Sequence, residues 1–203
     1  MTKNNKLSGT PKEVKSYWDT QYTEYSTGWD IGHISTPIKD YIDQLPKKSI
    51  KILVPGAGNA YEAEYLYLNG FKNVFVLDIS SVAISSFKQR FPDFPDRQLL
   101  NQDFFIHNDT YDLIIEQTFF CAINPADRYK YVKKAHSLLK DNGKLVGLLF
   151  NHEFEKEGPP FGGSPNEYEG LFSPYFTLKT FNVSYNSIKP RDKREHFINF
   201  VKK

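Results

Sequence analysis

A single cysteine, Cys121, leaves the 203-residue chain without an internal disulfide and without a Cys-x-x-Cys pair for metal or redox chemistry. Its five histidines (His33, His107, His136, His152 and His196) are dispersed, with no spacing suited to a structural metal. No apolar run approaches the ~20 residues that a membrane helix needs, and the opening MTKNNKLSGTPKEV has no apolar centre of the signal-peptide kind. A net charge of +2, with Lys and Glu evenly scattered, provides no basic stripe for a nucleic acid. Repeats, low-complexity tracts and dividing linkers are missing too. The expectation is a cytoplasmic, soluble, single-domain protein, a monomer, with a small-molecule partner and neither nucleic acid nor membrane. What the chain has in quantity is aromatic: 17 Phe, 13 Tyr and 2 Trp.

Thr10-Pro11-Lys12-Glu13 is a capping box with proline at the first helical position, which predicts a helix to about Tyr25. Thr36-Pro37 opens a second, short helix ending near Leu45. SIKILV (Ser49 to Val54) suits a buried strand, and the segment after the glycines a helix closed by Gly70. NVFVLD, ending at Asp78, predicts a second strand, followed by a helix capped by Ser80 or Ser81. RQLL before Asn101 is a weaker strand and Tyr111 to Ile115 a stronger one. A helix from Pro125 is expected to end near Asn142-Gly143, with KLVGLLF, ending at Phe150, as the fifth strand. A long Gly/Pro loop follows, then a capping box at Ser164-Pro165-Asn166-Glu167 with a short helix. Two alternating strands with a turn around Lys189 to Lys193 end the chain. This alternation predicts an α/β class fold: Rossmann-like, doubly wound, with a mostly parallel seven-stranded sheet and a C-terminal antiparallel hairpin.

In such sheets ligands sit beyond the carboxyl ends of the strands, where Gly56-Ala57-Gly58 lies. Glycine there admits positive φ and the close approach of a ligand, although a strand-to-helix corner alone also asks for it. The third glycine of a dinucleotide fingerprint is replaced by Tyr61, which disfavours a pyrophosphate. Asp78 closes the second strand some twenty residues on, where a carboxylate can bind both ribose hydroxyls, or cap the next helix. Asp103, after the third strand, can accept from an adenine amino group while Phe104 or Phe105 packs on the ring, or can make an Asx-turn. Ribose without pyrophosphate indicates a nucleoside cofactor, of which S-adenosylmethionine is the common one.

The segments YWDTQYTEYSTGWDIGHISTP (from Tyr17), LVPGAGNAYEAEYL (from Leu53) and CAINPADRYKYV (from Cys121), with GPPF (from Gly158), resemble the thiopurine S-methyltransferase superfamily. The front segment is especially similar to its plant thiol/halide methyltransferase branch. The resemblance implies a class I methyltransferase in which residues 1–45 form a helical lid over the cofactor and residues 49–203 the Rossmann-like core. It places Trp18 and Trp29 at the methyl-donor pocket, where aromatic faces suit a sulfonium cation; both could instead be core residues. It also sets Gly56 at the methionine part, Asp78 at the ribose, and Asp103 with Phe104 near the adenine; Gly58 and Ile79 are expected among the cofactor-binding residues. Gln117 falls where thiopurine methyltransferases carry an arginine at the substrate, a departure that weakens a thiopurine as acceptor. Arg191 is set against a second family arginine, and Asp127 with Arg128 is read as organising the loop.

Methyl transfer is an in-line displacement that needs alignment and exclusion of water more than a strong base. The expected acceptor is therefore a small thiol or similar soft nucleophile, in a pocket drawn from Trp29, Gln117, Phe119, Phe120, Phe161 and Arg191, with Glu157 to Pro165 as a second flap. Cys121 is assigned to packing. His33 is either a proton acceptor for a thiol or a solvent-facing histidine; Tyr111, Tyr129 and Tyr131 are packing or substrate-edge residues. Halide methylation, and a non-catalytic protein that binds S-adenosylmethionine, are the alternatives.

Overall fold

The computed structural model describes residues 9–156 and 158–203; the opening MTKNNKLS and the flap residue Glu157 lie outside the described residues. The elements in chain order are α1 (Pro11–Thr23), α2 (Thr36–Asp43), β1 (Ile52–Pro55), α3 (Tyr61–Leu68), β2 (Val74–Asp78), α4 (Ser81–Arg90), β3 (Leu99–Asn101), β4 (Tyr111–Gln117), α5 (Arg128–Leu138), β5 (Leu139–Phe150), α6 (Pro165–Phe172), β6 (Phe176–Val183) and β7 (Glu195–Lys202). The strands form one sheet in the order β3-β2-β1-β4-β5-β7-β6. β1 to β5 pair in parallel, while β7 runs antiparallel between β5 and β6.

Side chains alternate across the strands and so feed two cores. Leu53, Ile114 and Leu145 point to one face, against Tyr131, Val132 and Leu138 of α5 and Phe172 of α6. Ile52, Val54, Ile115 and Val146 point to the other, against Ile38 and Ile42 of α2, Leu66 of α3 and Phe87 of α4. The Phe-rich composition is spent mainly here, with Phe87 and Phe94 at 5.1 Å and Phe172 and Phe200 at 5.1 Å between ring centroids.

Local signals set the helix starts. Thr10 and Glu13 make the reciprocal capping box. Ser80, not Ser81, caps α4 by accepting the Ala83 N–H at 3.1 Å. At Ser164 only half the box forms: its Oγ accepts the Glu167 N–H, while the Glu167 carboxylate turns to Arg128. The expected long helix from Pro125 is shorter. Pro125–Asp127 is a 3-10 turn and α5 stops at Leu138. Leu139 is buried and pairs with Tyr111 in β4, so its packing on the sheet outweighs helix continuation, and β5 starts ahead of the turn at Asn142 (φ 61°).

Gly147 in β5 faces Glu116 in β4, and a Cβ there would lie 2.0 Å from the Glu116 carbonyl oxygen. Gly147→Ala is expected to lower stability by about 1–3 kcal/mol, read as a Tm drop of roughly 2–12 °C in a chain of this size. The Glu116 side chain is fully buried and accepts the N–H groups of Phe119 (2.8 Å) and Phe120 (2.9 Å) on one oxygen and the Tyr131 hydroxyl on the other. Burial pushes its carboxyl up to about 7. A carboxyl raised on folding contributes stability at low pH and loses it as pH climbs through that value. Glu116→Gln, which keeps an acceptor for both N–H groups, is therefore expected to match the wild type near pH 5 and to exceed its stability above pH 8, by on the order of 2 kcal/mol. Thermal unfolding at the two pH values checks this, and a variant less stable at both would refute it.

Candidate active site

β1 and β4 are neighbours, yet α3 packs on one face of the sheet and α5 on the other. Their connections part at the carboxyl ends of the strands and leave a crevice. It holds a cavity of about 410 Å³, closed on its outer side by α1 and the segment leading to α2.

The glycine turn forms the floor. Gly56 (φ +55°), Gly58 (φ +52°) and also Ala60 (φ +53°) are left-handed. A Cβ on Gly56 would come within 2.1 Å of the Phe119 ring, and one on Gly58 within 2.5 Å of the Tyr22 hydroxyl. The two glycines thus admit an aromatic ring from the β4 end on one side and one from α1 on the other. Asp78 stands beside them, 5% exposed, accepting the Gly58 N–H at 2.9 Å on one oxygen and the Ser80 N–H at 2.8 Å on the other. Burial pushes its carboxyl up to about 6 against the pull of those two N–H groups, and nearby Asp19 adds to the rise. Each oxygen keeps lone-pair capacity for a further donor. Ile79 and Asp103 line the cavity beyond it. Asp103 does make the Asx-turn, accepting the Phe105 N–H at 2.8 Å. Phe104 lines the cavity but is almost wholly buried, stacked on Tyr131 at 5.4 Å, while Phe105 offers the more accessible ring.

Trp18, Tyr22 and Trp29 make the outer wall, with Trp18–Trp29 at 5.5 Å and Tyr22–Trp29 at 6.0 Å, both edge to face. Burial holds the Tyr22 phenol far above its ordinary range, so it stays protonated. The Trp29 segment is pinned from three sides. Its carbonyl accepts from Arg191 Nη2 at 2.6 Å, the Asp30 carboxylate accepts from Asn59 Nδ2 at 2.6 Å, and Ser35 Oγ donates to Gln117 Oε1 at 3.2 Å.

Gln117, Phe119, Ile123, Pro159 and Pro160 line the remaining wall. Three expected pocket residues are placed elsewhere. Phe120 is buried in the core, packed on Tyr131, Tyr168 and Phe172. Arg191 is buried but does not line the cavity; it is committed to the Trp29 carbonyl and to Glu195 at 3.2 Å. Phe161 does not line it either; its backbone bonds the Cys121 carbonyl, and Pro159-Pro160 occupy the wall in its stead. Cys121 is buried, its thiol pushed up by burial and donated to the Thr118 carbonyl at 3.3 Å. Arg128 holds the Pro-rich loop, donating to the Gly162 carbonyl at 2.6 Å and Glu167 at 2.7 Å over the Phe120 ring. At the rim Lys130 and Asp127 pair at 2.7 Å.

One wall residue, Glu62, was not singled out from the sequence. It is 5% exposed, lies in the first turn of α3, lines the cavity and is pushed up to about 7 by burial. Among the described residues no cation comes within ion-pair distance of it. The signal was available: a carboxylate three residues beyond Asn59, on the helix face that carries Ala63 and Leu66 into the core.

The thiopurine S-methyltransferase family model matches residues 14–199. The chain is 30% identical over 162 residues to probable thiol methyltransferase 2 of Arabidopsis thaliana, covering 77% of this chain and 71% of that one. It is 24% identical over 174 residues to a thiopurine S-methyltransferase of Vibrio cholerae, covering 77% and 79%. The Burkholderia thailandensis 1,6-didemethyltoxoflavin-N1-methyltransferase, solved with S-adenosylhomocysteine, superposes with a TM-score of 0.72 over 96% of this chain and 91% of its own, at 15% identity, a likeness of fold. The family match takes in the glycine turn, Asp78, both tryptophans and the β4 end together, and the chain belongs to the thiopurine S-methyltransferase family.

Proposed function

We propose that this S-adenosylmethionine-dependent methyltransferase delivers its methyl group, by in-line displacement, to a small thiol or similar soft nucleophile entering between Trp29 and Phe119. The observation that carries this is the juxtaposition, in one cavity, of the Trp18–Tyr22–Trp29 cluster with the glycine turn and Asp78. A sulfonium has no hydrogen-bond donor, and each aromatic face stabilises it by about 0.5–2 kcal/mol. Asp78 accepts the ribose hydroxyls and Asp103 the adenine amino group, with Phe105 against the ring. Glu62, a buried carboxyl with no ion partner among the described residues, takes the cofactor's ammonium. Residues 1–45 act as the lid, and the protein works as a cytoplasmic monomer.

The acceptor wall supports the small soft nucleophile. Gln117 is uncharged, Arg191 is turned to a carbonyl, and Lys130 is neutralised by Asp127. Phe119, Ile123, Pro159 and Pro160 supply apolar surface around it. Iodide or another soft anion meets the same demands, which keeps halide methylation as the second reading.

Cofactor affinity should follow the charge on Asp78. Ribose hydroxyls donate to the carboxylate and favour its ionised form, whereas burial pushes the carboxyl up to about 6. Binding of S-adenosylhomocysteine, titrated calorimetrically, is expected to be full at pH 8, to begin weakening as Glu62 gains its proton near pH 7, and to fall by more than about tenfold per unit below pH 6, where Asp78 is protonated too. Asp78→Ala is expected to lose at least about tenfold at pH 7.5, or ~1.4 kcal/mol, and unchanged affinity would remove Asp78 from the site. Turnover compared between a thiol and iodide at saturating cofactor ranks the two acceptor classes. Tight binding with no turnover of either would favour the non-catalytic alternative.

A further inference from the structure

The ionisable groups around the cavity are nearly all committed. Asp30 accepts the Gly32 N–H on one oxygen and Asn59 on the other. Asp78 holds two backbone N–H groups and Asp103 one. Glu62 is buried in the cavity wall, where its own N–H and that of Ser35 favour the carboxylate. Asp127 is paired with Lys130, and the Cys121 thiol is itself a donor.

His33 differs. It lines the cavity, is exposed, and is the only one of the five histidines that does so. Its Nδ1 lies 2.7 Å from the Ile34 carbonyl oxygen. A carbonyl oxygen only accepts, so Nδ1 carries the hydrogen, and the neutral ring bears its free lone pair on Nε2. Nε2 has no partner among the described residues. The segment carrying it is fixed at both ends: Asp30 is tied to Asn59 after β1, and Ser35 to Gln117 at the end of β4. His33 is thereby held over the carboxyl ends of the two strands that flank the crevice, with one face to solvent.

We propose that His33 is a catalytic residue, its Nε2 taking the proton of a thiol acceptor as the sulfur attacks. This rests on the reading of the cavity as a methyl-transfer site. In the step, the thiol S–H bond breaks and its proton goes to Nε2. The sulfur lone pair forms the new S–CH3 bond, and the pair of the breaking CH3–S+ bond stays on the cofactor sulfur. The products are the methyl thioether, neutral S-adenosylhomocysteine and an imidazolium, which returns its proton to water through the exposed face of the ring.

The test turns on acceptors that differ in whether they carry a proton. At pH 7 an alkyl thiol such as 2-mercaptoethanol is largely protonated, while thionitrobenzoate and iodide are already anions. With saturating cofactor, His33→Ala is expected to lower kcat/KM for the alkyl thiol by at least about tenfold. The same variant should leave the two anions within about twofold, and S-adenosylhomocysteine affinity unchanged. Added imidazole should restore part of the alkyl-thiol rate. An equal fall for all three acceptors, no fall for the alkyl thiol, or a wild type that methylates iodide but no thiol would each overturn the role of His33. A wild type that binds S-adenosylhomocysteine yet methylates none of the three would instead overturn the methyl-transfer reading itself.

Discussion

The carboxylate of Asp78 is the joint on which the site depends. By accepting from Gly58 on one oxygen and Ser80 on the other, it locks the turn after β1 to the end of β2. That lock extends outward. Asp19 of α1 accepts from the Ser80 hydroxyl at 2.7 Å and the Val82 N–H at 3.3 Å, and Lys15 bonds both Asp19 and Ser81. The same few residues therefore shape the floor and dock the helix that covers it. α1 has no fully buried residue of its own, so its place owes more to these polar ties and to the Trp18–Tyr22–Trp29 packing than to a hydrophobic stripe.

The two buried arginines show how the acceptor side is kept free of positive charge. Arg128 and Arg191 both aim guanidinium hydrogens at backbone carbonyls, one fixing the Pro-rich loop and the other the Trp29 segment. Each also has a carboxylate partner, Glu167 for the first and Glu195 for the second. A guanidinium is suited to this because its planar fork satisfies several acceptors at once. The result is a rigid frame whose wall on the acceptor side, from Gln117, Phe119, Ile123, Pro159 and Pro160, is aromatic, aliphatic or neutral amide. Such a wall favours a soft, weakly hydrated nucleophile over a hard anion that would have to shed its water.

Much of this was legible in the sequence because it is encoded locally. The Thr10 capping box, the apolar runs of β1, β2 and β4, and the spacing from Gly56 to Asp78 all depend on neighbours within a turn or on the regular rhythm of strand and helix. What failed depended on partners far along the chain. Leu139 leaves the helix because Tyr111 is there to pair with it. Arg191 was set at the substrate by the family resemblance, and nothing in its own neighbourhood hints at a carbonyl 162 residues away. Glu116 and Glu62 were legible only as charges set into apolar surroundings; what they bond is a property of the assembled fold. The glycines carried a double meaning that sequence could not separate, since Phe119 and Tyr22 both need the space they leave.

The position of β7 has a consequence for the order in which the molecule can be assembled. It is the last strand in sequence but lies between β5 and β6, so β6 has no edge to join until β7 is in place. The connection between β6 and β7 also supplies Arg191, which fixes the Trp29 carbonyl, and Asn186, which donates to Asp40 of α2 at 2.8 Å. During vectorial synthesis the early segment leaves the ribosome long before those two anchors do. The parallel half of the sheet can begin to pack at once, but the crevice stays unroofed until the final stretch of chain arrives. The early Trp29 segment and the later β6–β7 stretch are thus joined in a single closing event, in which completing the sheet and completing the cavity are the same step.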